Sequence, residues 1–442
     1  MSTPIFDFVQ RYREQNPVRL HMPGHKGRDL LGAESVDITE IPGADSLYEA
    51  AGIIAESEKN ASARFGCPTF YSTEGSSHCI RAMLHLACLD AKAKGKRPVV
   101  AAGRNAHKVF LSAAALLNFE IRWIYGSDAY LSCAVTPKIL EQALRDGTVT
   151  AVYLTSPDYL GNTVDVAALS DVCRRYGALL LIDSAHGAYL KFLPHSLHPM
   201  DLGADLCCDS AHKTLPVLTG GAYLHVRKDL KPLINQAKSA LALFGSTSPS
   251  YLILQSLDLA NDACEKEFPQ KLRVLIPQIS ALKQRLSTHG FDLVGDEPIK
   301  LTVAPKSYGY TGTTLAKRLE AEGIVCEFAD PDFVVFMISP ENTPDELQKL
   351  EESLLKLPRK EPISTLPPKS APHEQAISVR HAALSPAEEI PAEESAGRIL
   401  AASTVGCPPA VPVIACGEKI TNEDLQAFSY YGIKTLWVSK EE

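Results

Sequence analysis

The stretch Leu179-Leu-Leu-Ile-Asp183-Ser-Ala-His186-Gly187 joins four apolar residues to a polar segment. Further along the chain, Asp209-Ser210-Ala-His212-Lys213-Thr214 follows a second apolar run, Leu206–Cys208. Each apolar run predicts a buried strand, so the polar side chains lie at or just past the end of that strand. Open α/β sheets bind ligands at the carboxyl ends of their strands. Both stretches are therefore expected to line a ligand site.

The side chains at these two strand ends suit pyridoxal 5'-phosphate (PLP). Lys213 supplies an amine that can bond covalently to the aldehyde of this cofactor. Asp183 supplies a carboxylate that holds the pyridine nitrogen protonated, so the ring can accept electrons from a bond that breaks at the Cα of a substrate. The Ser210 hydroxyl can bind the phosphate. The alternatives are a surface lysine in a turn at position 213 and a helix cap at position 183.

Two further segments lie between a predicted strand and a predicted helix. Gly75-Ser76-Ser77 combines backbone N–H groups and hydroxyls at a helix start, an arrangement that binds phosphate. His107 begins the helix that follows the strand Pro98–Ala102, where an imidazole can stack on a pyridine ring. The alternative for His107 is a polar histidine that is satisfied at the start of its helix. Both segments are candidate parts of the cofactor site.

The composition argues against several classes of protein. A net charge of −8 does not supply the basic surface that nucleic-acid binding usually needs. No window approaches the ~18 uninterrupted apolar residues of a membrane span, and residues 1–17 lack the apolar segment of a signal peptide. The 11 cysteines include no Cys-x-x-Cys pair, which indicates packed, reduced thiols in a cytoplasmic protein and predicts no metal site.

Short apolar runs alternate with helical patterns between about residues 68 and 230. This alternation predicts an α/β fold with a mostly parallel sheet of seven strands, covered by helices on both faces. The predicted strands are Thr69–Ser72, Pro98–Ala102, Ile121–Tyr125, Thr150–Leu154, Ala178–Ile182, Leu206–Cys208 and Ala222–Val226. The predicted helices include Ser77–Lys94, Lys108–Asn118, Thr136–Arg145 and Val166–Tyr176.

At 442 residues the chain is too long for one ordinary hydrophobic core, so several domains are expected. Residues 1–67 form an N-terminal segment, and residues 68–245 form a large cofactor-binding domain. Residues 246–357 combine helical patterns with strand-like runs and predict a small α+β domain. A proline-rich linker is predicted at 358–377, and residues 378–442 form a separate C-terminal α+β domain.

The chain resembles the Orn/Lys/Arg decarboxylases, which are PLP-dependent enzymes with the aminotransferase-like fold of fold-type I, in their short form without an N-terminal receiver-like domain. The N-terminal motifs that carry the resemblance are His21-Met-Pro-Gly-His25-Lys-Gly and Asp37-Ile-Thr-Glu-Ile-Pro-Gly. The central motifs are Gly75-Ser-Ser, Arg104-Asn-Ala-His107-Lys, Asp183-Ser-Ala-His186 and Ser210-Ala-His212-Lys213-Thr-Leu-Pro. The C-terminal motif is Pro408-Pro-Ala-Val-Pro-Val-Ile-Ala-Cys-Gly417-Glu418.

The resemblance implies cofactor-binding roles for these residues. Lys213 would bind the cofactor covalently, and Asp183 would pair with the pyridine nitrogen. His107 would stack on the ring, and His186 would lie beside the ring near its hydroxyl. The phosphate would be held by Gly75, Ser76, Ser77, Ser210 and His212.

The resemblance also implies roles in catalysis and substrate binding. Lys213, His212 and Asp183 would be the catalytic residues, and either Lys213 or His212 would return a proton to Cα. Glu418 would contact the distal cation of the substrate, and His25 is a second candidate for substrate binding. The alternative for Glu418 is a polar residue on the surface.

The activity that the resemblance implies is α-decarboxylation of arginine, lysine or ornithine to the corresponding amine and CO2. It also implies a homodimer or higher homo-oligomer, with the N-terminal Pro-Gly-His loop reaching the partner. A PLP-dependent aminotransferase or lyase stays open, because the same lysine and aspartate serve those reactions. A catalytically silent PLP-binding partner protein is the other alternative. The residues do not decide among the basic amino acids, or between polyamine synthesis and acid resistance.

Three segments depart from the family pattern. Thr219-Gly220-Gly221 stands where Ser/Thr-Gln is frequent after the lysine motif. Ala410 stands where glycine is usual, and Cys416 stands where proline is usual. The first departure bears on the pocket near the phosphate or on the subunit contact. The other two bear on the loop around Glu418.

Overall fold

A computed structural model describes residues 2–126, 129–402, 405–407 and 411–440 of the chain. These residues form the α-helices α1 (Pro4–Glu14), α2 (Ile53–Phe65), α3 (Gly75–Ala93), α4 (Lys108–Leu117), α5 (Pro137–Leu144), α6 (Val166–Tyr176), α7 (Ala211–Thr214), α8 (Lys231–Ala242), α9 (Tyr251–Lys266), α10 (Phe268–His289), α11 (Gly312–Ala321), α12 (Pro344–Leu355), α13 (Val379–Leu384) and α14 (Asn422–Tyr431). The strands are β1 (Thr69–Ser72), β2 (Val99–Gly103), β3 (Glu120–Ile124), β4 (Ala151–Thr155), β5 (Leu179–Asp183), β6 (Leu206–Asp209), β7 (Ala222–Val226), β8 (Asp292–Val294), β9 (Lys300–Ala304), β10 (Phe328–Ala329), β11 (Val334–Met337), β12 (Ala387–Pro391), β13 (Gly406–Cys407), β14 (Val411–Pro412) and β15 (Thr435–Ser439).

The main sheet has seven strands in the order β1-β7-β6-β5-β4-β2-β3. Strand β5 runs parallel to β6, and β2 runs parallel to both β3 and β4. Strand β7 is antiparallel to its neighbours β1 and β6. The prediction of an α/β fold with a mostly parallel, seven-stranded sheet is therefore confirmed.

One compact unit comprises Met1–Lys96 and Leu179–Arg273. Its strands β5, β6 and β7 are buried along their whole length, as expected for strands covered on both faces. Helix α3 packs against β6 and β7, and helices α1, α2 and α9 pack against one another. This unit contains the two strand ends at which the sequence predicts the ligand site.

A second compact unit comprises Arg97–Ala178 and Val274–Glu442. Besides β2, β3 and β4, it contains an antiparallel sheet in the order β10-β11-β9-β8 and the strand pairs β12–β15 and β13–β14. Val413, Ile414 and Val438 are fully buried in its core. The sequential domain boundaries expected from the sequence stay a prediction.

Local capping chemistry sets the ends of several helices. Helix α6 occupies the predicted range, because the Asp165 side chain accepts a first-turn N–H at its start and Gly177 takes a φ of +68° at its end. Helix α9 begins at Tyr251, because the Ser250 hydroxyl caps its first turn. Helix α3 begins earlier than predicted, at Gly75, so Ser76 and Ser77 belong to its first turn.

Within the described ranges, no helix is long and apolar enough to cross a membrane. The ten cysteines whose side chains are described are free thiols, and all except Cys326 are buried. Burial raises the pKa of the Cys67 thiol to about 12, so this side chain stays protonated and unreactive. These thiols therefore pack as small apolar groups, as the sequence indicates.

Candidate functional site

Lys213 lies in α7, the single helical turn that follows β6. Its Nζ lies 2.9 Å from Nε2 of His186, which follows β5 in the same unit. The two strand-end stretches therefore meet at this pair of side chains. Lys213 is half-buried, whereas His186 is 4% exposed. The lysine amine thus has a neighbouring imidazole that can accept a proton.

Asp183 is the last residue of β5 and is 2% exposed. It lies opposite Cys208 on the parallel strand β6. Its Oδ1 accepts from the Ala185 N–H at 3.2 Å and lies 3.7 Å from the Cys208 Sγ. The bond to Ala185 is a local turn contact, so Asp183 does not cap an α-helix in the described ranges. A buried carboxylate at this strand end suits a cationic ring nitrogen.

The start of α3 provides candidate phosphate ligands. The first turn contains Gly75, Ser76 and Ser77 and has no acidic residue. Ser210 Oγ donates to Ser76 Oγ at 2.7 Å, which joins the lysine turn to the start of this helix. Helix N-termini attract anions through their N–H groups and their dipole. The two hydroxyls and the helix start together can hold a phosphate.

Gly220 and Gly221, which belong to the departure from the Ser/Thr-Gln pattern, hold these segments together. The Gly75 N–H donates to the Gly220 carbonyl at 2.7 Å, and the His212 N–H donates to the Gly221 carbonyl at 3.2 Å. Gly220 has a φ of +103°, and a Cβ there would lie 2.8 Å from the Thr73 carbonyl oxygen. A Cβ at Gly221 would meet a neighbouring side chain at 2.2 Å. This backbone therefore has no room for a side chain at either position.

Hydrogen bonds define the orientation of two histidine rings. His212 Nδ1 donates to the Gly221 carbonyl at 3.0 Å, so Nε2 is the acceptor nitrogen of the neutral ring. In the second unit, His107 caps α4, and its Nδ1 accepts from the Val109 N–H at 3.3 Å. Nε2 of His107 therefore carries the hydrogen in the neutral ring. The stacking of His107 on the cofactor stays a prediction.

Glu418 is 1% exposed, so the alternative of a surface glutamate is wrong. Its two carboxylate oxygens accept from Nη1 and Nη2 of Arg104 at 3.0 and 2.8 Å. The Oε2 atom also accepts from the Ala415 N–H at 2.7 Å and lies 3.8 Å from His373 Nδ1. The family motifs include Arg104 but not His373, and neither contact with Glu418 could be predicted, because no local pattern in the sequence marks it. The contact of Glu418 with a distal cation stays a prediction.

Of the two C-terminal departures from the family pattern, the structure describes one. Ala410 lies outside the described residues. Cys416 is fully buried, and its Sγ donates to the Ala401 carbonyl at 3.1 Å. The thiol therefore packs inside the second unit, two residues before Glu418.

His25 connects the two N-terminal motifs of the chain. Its Nε2 lies 3.2 Å from Oδ2 of Asp37, and its Nδ1 accepts from the Gly27 N–H at 3.0 Å. The His25 side chain is 18% exposed, so part of it remains accessible. Its contact with substrate stays a prediction.

A buried cluster in the first unit was not apparent from sequence spacing. His198, Cys207 and Asp209 place potential ligand atoms within 4.8 Å of one another, so they could hold a metal ion. However, Asp209 Oδ2 already lies 3.0 Å from Nε2 of both His198 and His225. Burial opposes ionisation of Asp209, but the two imidazoles outweigh it and hold the pKa of this carboxyl below its usual range. Hydrogen bonds therefore satisfy the cluster.

Sequence comparison identifies relatives over nearly the whole chain. The profile for Orn/Lys/Arg decarboxylase, major domain, matches residues 3–303, and the profile for the C-terminal domain matches residues 361–439. The arginine decarboxylase of Bacillus subtilis is 27% identical over 96% of this chain and 92% of that protein. The arginine decarboxylase of Halalkalibacterium halodurans is 28% identical with the same two coverages.

Solved structures share the fold at lower identity. The E. coli constitutive lysine decarboxylase matches with a TM-score of 0.78 at 16% identity, over 99% of this chain and 82% of that one. Lysine decarboxylase A from Pseudomonas aeruginosa matches with a TM-score of 0.81 at 17% identity, over 97% and 75%. These likenesses confirm the fold-type I expectation. With both profiles matched, the chain belongs to the Orn/Lys/Arg decarboxylase family of PLP-dependent amino-acid decarboxylases.

Proposed function

We propose that this protein removes the α-carboxylate of arginine, lysine or ornithine, with PLP held by the first unit. The observation that carries the proposal is the contact between Lys213 and His186 at adjacent strand ends, one of which also places the buried carboxylate of Asp183. Arginine is the first candidate substrate, because two relatives, at 27 and 28% identity, are arginine decarboxylases.

The donor set of the first unit fits the cofactor. It offers one amine for the aldehyde, one buried carboxylate for the pyridine nitrogen, and two hydroxyls at a helix start for the phosphate. Asp183 would hold the ring nitrogen protonated, and Ser76 and Ser210 would bind the phosphate together with the N-terminus of α3. When bound, PLP supplies the electron sink for the bond that breaks at Cα.

Lys213 has two tasks in the proposed reaction. Its amine must be neutral to react with an aldehyde, and His186 Nε2, 2.9 Å away, can accept the proton that the amine loses. After CO2 leaves, either Lys213 or His212 returns a proton to Cα. His212 can give this proton only as the imidazolium, from Nε2, because its Nδ1–H is held by the Gly221 carbonyl, which also fixes the ring in one orientation.

The proposed setting is a cytoplasmic homodimer that acts in polyamine metabolism. The dimer is supported by apolar side chains that the N-terminal segment 18–31 exposes, among them Leu20 and Leu31, which are 90 and 94% exposed. Isolated apolar residues on a surface are ordinary, but a run of them in one segment indicates a contact surface.

The test is incubation of the purified, PLP-loaded protein with arginine, lysine, ornithine and a set of non-basic amino acids, followed by mass spectrometry of the products. We expect agmatine, cadaverine or putrescine from one of the basic substrates. Lys213→Ala should abolish turnover and the visible absorbance of the lysine-linked cofactor. Lys228→Ala, which changes an exposed lysine of the same unit, should alter neither.

Each contrary result points to a specific alternative. A keto acid product would identify an aminotransferase, and an eliminated side chain would identify a lyase. Cofactor binding without turnover of any amino acid would identify a silent PLP-binding protein. Full activity in Lys213→Ala would contradict the assigned role of this lysine.

A further inference from the structure

Glu418 and Arg104 form a buried ion pair, and the carboxylate of Glu418 already accepts several hydrogen bonds. Arg104 and Glu418 are 2 and 1% exposed and meet as a two-bond fork, with Nη1–Oε1 at 3.0 Å and Nη2–Oε2 at 2.8 Å. Oε2 accepts a third bond from the Ala415 N–H. Such a fork fixes the orientation of both partners. We propose that Glu418 is a positioning residue, which acts through Arg104 on the turn that carries His107.

Arg104 is placed to transmit this constraint. It follows β2 directly, and its backbone N–H donates to the Ile124 carbonyl of β3 at 3.1 Å. Its guanidinium carbon lies 4.8 Å from the centroid of the Trp123 ring. The side chain is thus held by a carboxylate on one side and an aromatic ring on another. Three residues later, His107 caps α4, so the short turn between them begins at a fixed point.

Helix α13 and its residue Arg380, which like Glu418 lie in the C-terminal part of the chain, contact the other end of α4. Helix α13 packs against α4. Nη1 of Arg380 donates to the carbonyls of Ala115 and Leu116 at 3.0 and 3.1 Å, near the last turn of α4. A cation at this end also interacts favourably with the helix dipole. A ten-residue helix held at both ends cannot slide or rotate freely, and the ring of His107 at its start is held with it.

The pair is costly to break on one side only. Removing the charge of Glu418 leaves the Arg104 guanidinium buried without its counter-ion, and such a change is strongly destabilising in general. His373 and Asp424 pair beside it, with His373 Nε2 at 2.9 Å from Asp424 Oδ1. Arg104→Lys is the gentler test, because it keeps the charge while it removes the fork and weakens the contact with Trp123.

This inference rests on the proposed function and on the sequence-based prediction that His107 stacks on the cofactor, and it replaces the expected contact of Glu418 with the substrate. The two roles predict different kinetics. A positioning role lowers kcat and leaves KM for the basic substrate nearly unchanged, because the substrate's distal cation is bound elsewhere. A substrate-binding role raises KM for basic substrates in Glu418→Gln, and less strongly in Arg104→Lys, while kcat is retained in both.

The experiment compares Glu418→Gln, Arg104→Lys, their double variant and Arg380→Met, with Glu388→Gln as the matched control. Glu388 pairs with Arg398 in the same C-terminal segment, and both are partly exposed. We expect kcat to fall about 100-fold in Glu418→Gln, as for a catalytic group displaced by about 1 Å. Arg104→Lys should lower kcat by a similar factor. The double variant should lower kcat no further, because both changes act through one contact. Arg380→Met should show a smaller fall in kcat, and Glu388→Gln none.

A fluorescence readout tests the same link without any turnover. The chain has two tryptophans, so a Trp437→Phe background leaves Trp123 as the sole reporter beside Arg104. We expect Glu418→Gln and Arg104→Lys to shift the Trp123 emission and Glu388→Gln to leave it unchanged. If wild type decarboxylates no amino acid, the proposed function is wrong. The Trp123 emission would still test whether Glu418 and Arg104 interact.

Two results would overturn the positioning role. One is an increase of KM for the basic substrate in Glu418→Gln, with kcat retained. The other is wild-type kcat in Arg104→Lys and Arg380→Met. If Glu418→Gln does not fold, as judged by its thermal unfolding, these two milder variants decide the question. Arg380 is suited to this because it is exposed.

Discussion

At the residue scale, the proposed chemistry depends on two side chains with contrasting surroundings. Lys213 is half-buried, so its amine is accessible to an incoming small molecule. Asp183 is shielded from water. A charge pair between a shielded carboxylate and a ring nitrogen is stronger than one in water, because the surroundings screen it less. The contrast between an accessible lysine and a sequestered aspartate is what the proposed cofactor requires.

Asp183→Asn is expected to lower kcat about 10²–10³-fold while PLP still binds. Asparagine has the same shape, but it cannot neutralise a protonated ring nitrogen, so the electron sink weakens. Steady-state rates of amine formation and the cofactor content of the purified variant measure the two effects. Asp201→Asn, which breaks the pair with Lys191 in the same unit, serves as the control and should retain wild-type kcat. Wild-type kcat in Asp183→Asn would contradict the assigned role.

At the scale of elements, the turn before β7 and the start of α3 form one hydrogen-bonded assembly. The carbonyls of Gly220 and Gly221 accept from Gly75 and His212, so the phosphate ligands and the lysine turn share one frame. A glutamine side chain, frequent at this point in the family, cannot be accommodated by this backbone. The glycines are thus part of how this chain builds the proposed phosphate site.

Gly220→Ala is expected to weaken cofactor retention and to lower the thermal midpoint. The new Cβ would meet the Thr73 carbonyl at 2.8 Å and Ile253 Cδ1 at 2.9 Å, and the backbone has a positive φ. Strain of this kind costs about 1–3 kcal/mol. Gly95→Ala is the matched control, because Gly95 has a φ of +69° with open space around its Cβ position. Equal cofactor retention in both variants would show that crowding at Gly220 is unimportant.

The docking of α1 depends on one buried carboxyl in α9. Asp258 Oδ2 accepts from the N–H groups of Ile5 and Phe6 at 2.9 and 3.0 Å, and Oδ1 accepts from Ser57 Oγ at 2.5 Å. Burial raises the pKa of Asp258 to about 6, although these hydrogen bonds oppose the shift. The native state therefore keeps a proton between about pH 4 and pH 6 that the unfolded chain has lost.

Stability is expected to fall as the pH rises through this window, because a group with a raised folded pKa favours the native state only while it is protonated. Asp258→Asn is neutral at every pH and should lack this dependence. The free energy of unfolding of wild type, relative to that of Asp258→Asn, should therefore decrease by an amount on the order of 2 kcal/mol from pH 4.5 to pH 7. The thermal midpoint of wild type should decrease relative to that of the variant over the same range. A constant difference between the two proteins over this range would contradict the raised pKa.

At the scale of the whole molecule, the exposed N-terminal segment 18–31 bears on assembly. If this segment lies in the proposed dimer contact, Leu20→Ser combined with Leu31→Ser should shift the mass in light scattering from two chains toward one. Val325→Ser is the control, because Val325 is also strongly exposed but lies in the second unit. A dimer that persists in the double variant at low concentration would place the contact elsewhere. A wild-type mass of one chain would contradict the dimer itself.

The sequence by itself determined the sheet, most of the helices and the family. Short, mainly apolar runs bounded by polar residues are a local pattern, and that pattern located each of the seven main strands to within about two residues. The lysine motif of Lys213 and the aspartate motif of Asp183 were readable for the same reason, since each combines a strand with the residue types of one chemistry. The strand ends at Asp183 and Lys213 could thus be predicted to meet.

Only the tertiary structure decided which side chains support these motifs. Arg104 and Glu418 are 314 positions apart, and Asp209 contacts His225 on the neighbouring strand. Neither contact therefore produces a local pattern in the sequence. The need for glycine at Gly220 likewise depends on the carbonyl of Thr73, far away in the chain. Local patterns encode strand, helix and motif, because these depend on neighbouring residues. The partner of a buried charge depends on packing, which exists only once the chain has folded.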